Sequence, residues 1–137
     1  MDLSKVLRIS AAGMDAQNAR MRTIAENLAN ADSLPQSPDE DPYRRKMVTF
    51  KNVLDRQLGA RTPRADRVVQ DASEFRKRYD PQHPAADADG YVATPNVNSL
   101  IEVMDMRQAQ RTYEANLGVI EIAKSMIART IDILRNG

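Results

Sequence analysis

No cysteine occurs among the 137 residues, so neither a disulfide framework nor a thiolate metal site is open to this chain. A surplus of either charge is lacking too. Twenty Lys and Arg stand against 19 Asp and Glu, a formal net charge of +1, and no strong field argues for a nucleic-acid partner. The longest apolar stretches fall far short of a membrane span, so no membrane insertion is expected. The first twenty residues carry charge at Asp2, Lys5, Arg8 and Asp15, without the continuous apolar core and cleavage site of a secretory signal peptide. If the protein leaves the cytoplasm, the expected route is one that does not remove its N-terminus. The length fits one unit, or a helical core with one small insertion.

Catalytic chemistry is as scarce. His83 is the only histidine, held between Gln82 and Pro84, with no cysteine and no serine in a nucleophile-elbow context to pair with it. A structural histidine in a loop is the expectation. Asp87-Ala-Asp-Gly90 starts like a calcium loop, but the spacing and closing glutamate of that loop are missing, and a turn closed by Gly90 is expected. Arg44-Arg-Lys46 beside Tyr43 resembles an anion patch, and a solvated strand edge or subunit contact is the better reading. No carboxylate pair stands apart as acid and base. The chain reads as a non-enzyme with no cofactor, no metal and no small-molecule substrate.

What the sequence does have is a pair of apolar stripes at its two ends. Residues spaced by three and four give Leu3, Leu7, Ser10, Met14, Gln17, Met21, Ile24, Leu28 and Ala31 at one end. At the other they give Val103, Met106, Gln110, Tyr113, Leu117, Ile120, Lys124, Ile127, Ile131 and Leu134. Such spacing lays one narrow seam along one side of a helix, as in helices that pack nearly parallel. Gln17, Asn27, Gln110, Asn116 and Lys124 lie on or beside the stripes. Lys124 is expected to snorkel to solvent. For Gln17 and Gln110 two readings stay open: a buried amide that penalises wrong registers, or a side chain facing water. Gly13 and Gly118 each weaken a helix by about 1 kcal/mol relative to alanine, a cost that close helix approach could offset.

All seven prolines lie between the stripes, as do Tyr43, Phe50, Phe75, Tyr79 and Tyr91. Proline is disfavoured inside helices, so residues 3–30 and about 99–135 are free to be long helices of about 40 Å and about 55 Å. Asn30 reads as a stop, and Ser99 with Glu102 as a capping box. In the middle, Arg45–Lys51 reads as a strand with Val48 and Phe50 on one face, and Asn52–Leu58 as a short helix before Gly59. Arg67–Gln70 and Phe75–Tyr79 are weaker strands, and 80–98 is turn-rich and extended. The expected fold class is mainly α: long N- and C-terminal helices in a coiled-coil-like pair, with a small irregular β-containing central insertion. Residues 1–31 together with 98–137 would form a helical assembly core, and 32–97 the insertion.

Ile24-Ala-Glu-Asn-Leu-Ala-Asn-Ala31 resembles the N-terminal motif of bacterial flagellar axial proteins, the rod, hook and hook-associated families. Asp41–Phe50, Tyr79–Asn98 and Arg111–Leu117 narrow the resemblance to the basal-body rod proteins of the proximal rod. It covers essentially the whole chain. It implies a structural subunit exported through the flagellar type III apparatus without a cleaved signal and assembled in the periplasm as part of a drive shaft for motility. Its partners would be itself, other proximal and distal rod proteins, and basal-body ring and export-gate components. The residues this assigns to the assembly interface are Leu3, Leu7, Met14, Met21, Ile24, Asn27, Leu28, Val103, Met106, Tyr113, Leu117, Ile120, Ile127, Ile131 and Leu134. The alternative is a soluble coiled-coil adaptor or export chaperone with its seam satisfied in the cytoplasm. A cell-wall enzyme, suggested only by the periplasmic setting, lacks an acid/base pair.

Overall fold

A computed structural model describes residues 2–137. Two helices, α1 (Leu3–Ala29) and α2 (Ser99–Asn136), enclose four strands in sequence. These are β1 (Lys46–Asp55), β2 (Ala60–Gln70), β3 (Arg76–Tyr79) and β4 (Tyr91–Thr94). β1 pairs with β2 and β3 with β4, both antiparallel, as two separate two-stranded sheets. No helix among the described residues is long and apolar enough to cross a membrane.

Both long helices stand where the stripes and the proline-free ends put them, but their caps differ in detail. Asp2 caps α1 by accepting from the Ser4 amide at 3.0 Å. Asn98, not Ser99, caps α2, its side chain accepting from the amides of Leu100 and Ile101. Glu102 is therefore free of capping work. It turns inward instead and is fully buried.

The expected coiled-coil-like helix pair is not what the chain forms. Helix makes up 48% of it and strand 21%, so the fold is an α and β mixture rather than mainly α. α2 runs antiparallel along α1, but the residues turned most fully toward the interior are small or polar. On α1 these are Ser10, Gly13, Ala16, Thr23, Ile24 and Asn27; on α2 they are Glu102, Ala109 and Ala123. Coiled coils need large apolar knobs at such positions. Here a Cβ on Gly13 would stand 2.8 Å from Asn116 Nδ2, so the bare glycine makes room for the Asn116 side chain where a coiled coil would seat an apolar knob. A second cause is that α1 has two neighbours. The β1–β2 hairpin lies along it as well, with Ala12, Asp15 and Ala16 meeting Pro63, Arg64 and Ala65 across a shallow cleft.

The middle is more regular than its composition suggested. β1 runs on to Asp55, so the short helix expected at Asn52–Leu58 is strand and turn. Gly59 takes φ +64 there, a left-handed value that suits glycine, and Leu58 is buried. An irregularity between Val48 and Phe50 breaks the ladder, which is why the two do not share a buried face and Phe50 is exposed. The expected strands at Arg67–Gln70 and Phe75–Tyr79 are found within β2 and β3. Within 80–98, read as extended and turn-rich, β4 is a true strand. Asp87 Oδ1 accepts from the Asp89 and Tyr91 amides, and Gly90 at φ +85 closes the turn. His83 is structural here too, its Nδ1 accepting from the Ala85 amide at 3.0 Å.

The core is thin. Its buried apolar residues are Ala16, Ile24, Leu58, Ala85, Val92, Val97, Ala109 and Ala123, half of them alanine. The accessible surface is 9584 Å². A compact monomer of 15.4 kDa would expose about 7200 Å². The roughly 2400 Å² difference reflects an extended shape with much of α2 uncovered.

Candidate functional site

Two features stand out, a buried polar junction at one end of the helices and exposed apolar side chains along the length of α2. The junction is built on Asn27 of α1, which is 1% exposed. Its Oδ1 accepts from the Tyr43 hydroxyl at 2.8 Å and the Lys46 amide at 2.9 Å. Its Nδ2 donates to the Lys46 carbonyl at 2.8 Å and to Glu102 Oε2 at 3.3 Å. All the bonding capacity of one amide is used.

Glu102 in turn holds Arg45, whose Nε donates to its Oε1. The same guanidinium reaches Asp71 at 3.3 Å and Asp105 at 3.5 Å. Arg20 extends the network to Asp105 at 3.8 Å and donates to Gln108 at 3.1 Å. Asn96 accepts from the Arg45 amide at 2.7 Å and donates to the Asp71 and Ser73 carbonyls. Arg44 donates to the same two carbonyls and stacks over the Phe75 ring at 4.2 Å. Thus Arg44-Arg-Lys46, expected at a solvated strand edge or subunit contact, is turned into the molecule and joins five segments of the chain.

The electrostatics follow from this closure. Burial, then the charges of Glu26 and Glu102, push the Tyr43 phenol up to about 12. Burial would lower the Arg45 pKa, but the hydrogen bond and charge of Glu102, then those of Asp71, outweigh it and hold it above the ordinary value. Hydrogen bonds from the Ser73 backbone and side chain, with the Arg45 guanidinium, hold Asp71 below the usual carboxylate range. These groups spend their donors and acceptors on each other. Among the described residues no cluster of three or more His, Cys, Asp or Glu is placed for a metal. The arrangement fastens chain segments together.

The exposed apolar side chains of α2 are the opposite case, with Val103, Leu117 and Ile131 on one flank of the helix and Val119, Ile122, Met126 and Ile133 on the other. Leu100, Ile101, Val103, Met104, Leu117, Val119, Ile122, Met126, Ile131, Ile133 and Leu134 all lie exposed along α2. A purely apolar groove lined by Leu3, Val6, Val119, Ile122, Ala123 and Met126 opens where α1 begins.

The fifteen residues expected at an assembly interface divide three ways. Ile24 and Asn27 are buried within the chain. Leu3, Leu7, Met14, Met21, Leu28, Met106, Tyr113, Ile120 and Ile127 are half-buried. Val103, Leu117, Ile131 and Leu134 are exposed. The α2 stripe is thus two columns, Met106–Tyr113–Ile120–Ile127 flanking α1 and Val103–Leu117–Ile131 turned away from it. The column that meets α1, Glu102–Ala109–Asn116–Ala123, was missed. Its seven-residue spacing was a readable signal, but its members are small or polar and an apolar pattern passes over them. Also missed were Arg45, Asp71 and Asn96, which no local pattern connects to Glu102. Of the polar seam residues, Gln17 has its Oε1 buried without a partner among the described residues, while Gln110 and Lys124 are exposed. Gly13 makes room for Asn116; Gly118 has no atom within 4 Å of where its Cβ would be.

Comparison with known proteins places these features in context. Residues 88–133 match the family described as "Flagellar basal body rod FlgEFG protein C-terminal". The flagellar basal-body rod protein FlgC of Agrobacterium fabrum is 45% identical over 97% of this chain and 96% of its own. That of Aquifex aeolicus is 38% identical over 96% and 97%. That of Salmonella typhimurium is 36% identical over 97% and 98%.

Proposed function

This chain belongs to the FlgC family of flagellar basal-body rod proteins, and from that premise we propose that it builds the proximal part of the rod through the exposed apolar side chains of α2. It is a structural subunit of the flagellar basal body. The finer reading has it act without catalysis, in the periplasm, after type III export that leaves its N-terminus uncleaved. Its neighbours would be further copies, the other proximal and distal rod proteins, and the ring and export-gate components. Residues 1–31 and 98–137 would supply the assembly core, and 32–97 the small central unit packed on it.

The observation that carries this reading is the row of large apolar side chains left in water along α2. So many exposed large apolar side chains on one helix are unusual in a monomer, and a protein partner is the common reason. A standard interface hides about 800 Å² on each side. The surface this chain exposes beyond that of a compact monomer, roughly 2400 Å², is enough for about three such contacts. A rod subunit that shares load with several neighbours needs several contacts. The proposed interface set keeps the fifteen residues named above, with the exposed four, Val103, Leu117, Ile131 and Leu134, meeting neighbours directly.

Leu117, 39% exposed, is the position to test. Leu117→Asp places a charge in the proposed contact with little to disturb inside the subunit. The expected outcome in flagellated cells is normal expression and export, no completed rod and no swimming. Motile cells carrying Leu117→Asp would remove Leu117 from the interface and with it the central evidence for this face.

A further inference from the structure

We propose that β2 takes up a third strand, an extended acidic segment of a partner protein other than this chain, laid in the groove between its open edge and α1. β2 pairs with β1 alone, and among the described residues no other backbone group bonds to it. Its open edge turns toward α1. Pro63, Arg64 and Ala65 line a cavity of about 350 Å³ with Ala12, Asp15 and Ala16. Ala65–Val68 line the next, of about 260 Å³, with Ala19, Arg22 and Glu26, and β1 adds only Val48. Successive strand residues point to opposite faces, so a run of neighbours lines one cavity where the strand shows its edge. Pro63 agrees. It has no N–H to give, so within a two-stranded ladder its nitrogen faces away from β1. Two residues on, the Ala65 N–H and carbonyl face the same open side.

The groove is sized for a strand. α1 offers it one helical face, from Ala12 to Glu26, about 21 Å long, and Pro63–Val68 of β2 spans about 17 Å. About six residues of extended chain fill that length. Ala12, Ala16 and Ala19 form the floor, and their small side chains leave room that larger ones would take. A strand added here gains main-chain hydrogen bonds from the edge and a helix to pack on, the mode by which extended peptides enlarge a sheet.

Charge decides the occupant. On the rim of the groove Glu26 is held by Lys46 at 2.5 Å and Asp66 by Lys51 at 2.7 Å. Arg67 reaches Asp66 only at 3.9 Å. Arg22, Arg64 and Asp15 have no ion-pair partner among the described residues. Three exposed arginines against one free carboxylate favour an acidic segment. They disfavour a second copy of the same edge, since two β2 edges side by side set Arg64 and Arg67 against their own likes. The chain's own acidic stretch, Asp39, Glu40 and Asp41, is bounded by Pro38 and Pro42 and is too short to supply the strand. No residue of α2 lines either cavity, so this surface is separate from the proposed rod contacts.

The test is titration of the isotope-labelled full-length chain with a peptide of about seven residues in which glutamate alternates with alanine and valine. Amide chemical shifts and hydrogen exchange are the readouts. The Ala65 amide is expected to shift, and to exchange at least about tenfold more slowly with peptide bound. A peptide with lysine in place of glutamate is expected to bind at least about tenfold more weakly. One with a fully N-methylated backbone, which cannot donate to the edge, is expected not to bind. Ala65→Pro removes the edge donor and spares the ladder to β1, so binding is expected to vanish with an unchanged circular dichroism spectrum. The double change Arg22→Glu, Arg64→Glu leaves the backbone alone and is expected to reverse the preference between the acidic and basic peptides. No binding of the acidic peptide at about 1 mM, equal affinity for both peptides, binding that survives N-methylation, or shifts confined to residues outside the groove would each overturn the inference. Leu117→Asp is expected to bind the acidic peptide as wild type does, so the fate of the α2 contacts and that of this groove are read separately.

Discussion

Two residues of α2, Glu102 and Leu134, follow opposite rules. The first turn of the helix carries Glu102, 0% exposed and tied to Arg45 and Asn27, whereas its last carries Leu134, 78% exposed and touching little. The charged residue is inside and the apolar one outside, the reverse of what solvent transfer favours for a finished globule. Each inversion has its own cause. A buried charge is tolerated where geometry supplies paired charge and hydrogen bonds, and an exposed leucine row where its cover comes from another molecule. The polar junction makes the subunit one body; the exposed apolar residues are the ones proposed to meet a neighbour.

That contrast can be broken or sharpened by substitution. The largest effect on the fold is expected from Glu102→Ala, which leaves Arg45 and the Asn27 amide short of a partner. Removing one member of a buried pair costs about 3–5 kcal/mol, readable in the urea midpoint. A cost under about 1 kcal/mol would mean that Asp71 and Asp105 hold Arg45 without help. Next is Gly13→Leu, which drives a side chain into Asn116 and should cost about 1–3 kcal/mol. Gly13→Ala is the control. The Asn116 amide can swing away and alanine favours helix by about 1 kcal/mol, so little net change is expected.

Tyr43→Phe should cost about 1 kcal/mol through the lost bond to Asn27. It also tests the alkaline limb. The phenol lies at about 12 when folded against an ordinary 10.0, so the unfolded chain loses this proton first. Stability is whole below pH 10.0 and declines as pH rises toward about 12. Tyr43→Phe should flatten that decline, and an unchanged slope would assign it elsewhere. The smallest effect belongs to Leu134→Asp, expected within about 0.5 kcal/mol of wild type in the isolated chain. A large loss there would show that the far end of α2 is part of the fold.

How far the sequence could be read varied with the range of the interactions. The extents of α1 and α2 depend on local pattern, on proline and on caps, and both were legible within a residue or two. The turn at Asp87–Gly90 and the role of His83 are also local, and they were legible for the same reason. The helix pairing was not. It turns on Gly13, Ala109, Asn116 and Ala123, whose value is smallness, and smallness has no signature apart from the surface it meets. The junction was further out of reach, because Arg45 and Glu102 are 57 residues apart and Arg44-Arg-Lys46 looked like a surface patch. The α2 stripe was read as an assembly interface, but its division into one column flanking α1 and another left exposed was not legible. Apolar spacing announces that a face will be covered and is silent on what covers it.

The four bonds of Asn27 also differ in how much chain each must close. Its link to Lys46 closes a separation of 19 residues, and its link to Glu102 one of 75. By loop length alone the second closure costs about 1.2 kcal/mol more than the first. α1, Tyr43 and the β1–β2 hairpin can therefore organise while α2 is still unstructured, leaving a socket with Asn27 Nδ2 and the Arg45 guanidinium waiting for a carboxylate. On that order Glu102 would close last, as the pin that holds α2 in register. A chain delivered to its destination from the N-terminus would present the completed socket first and the helix with the exposed apolar row last.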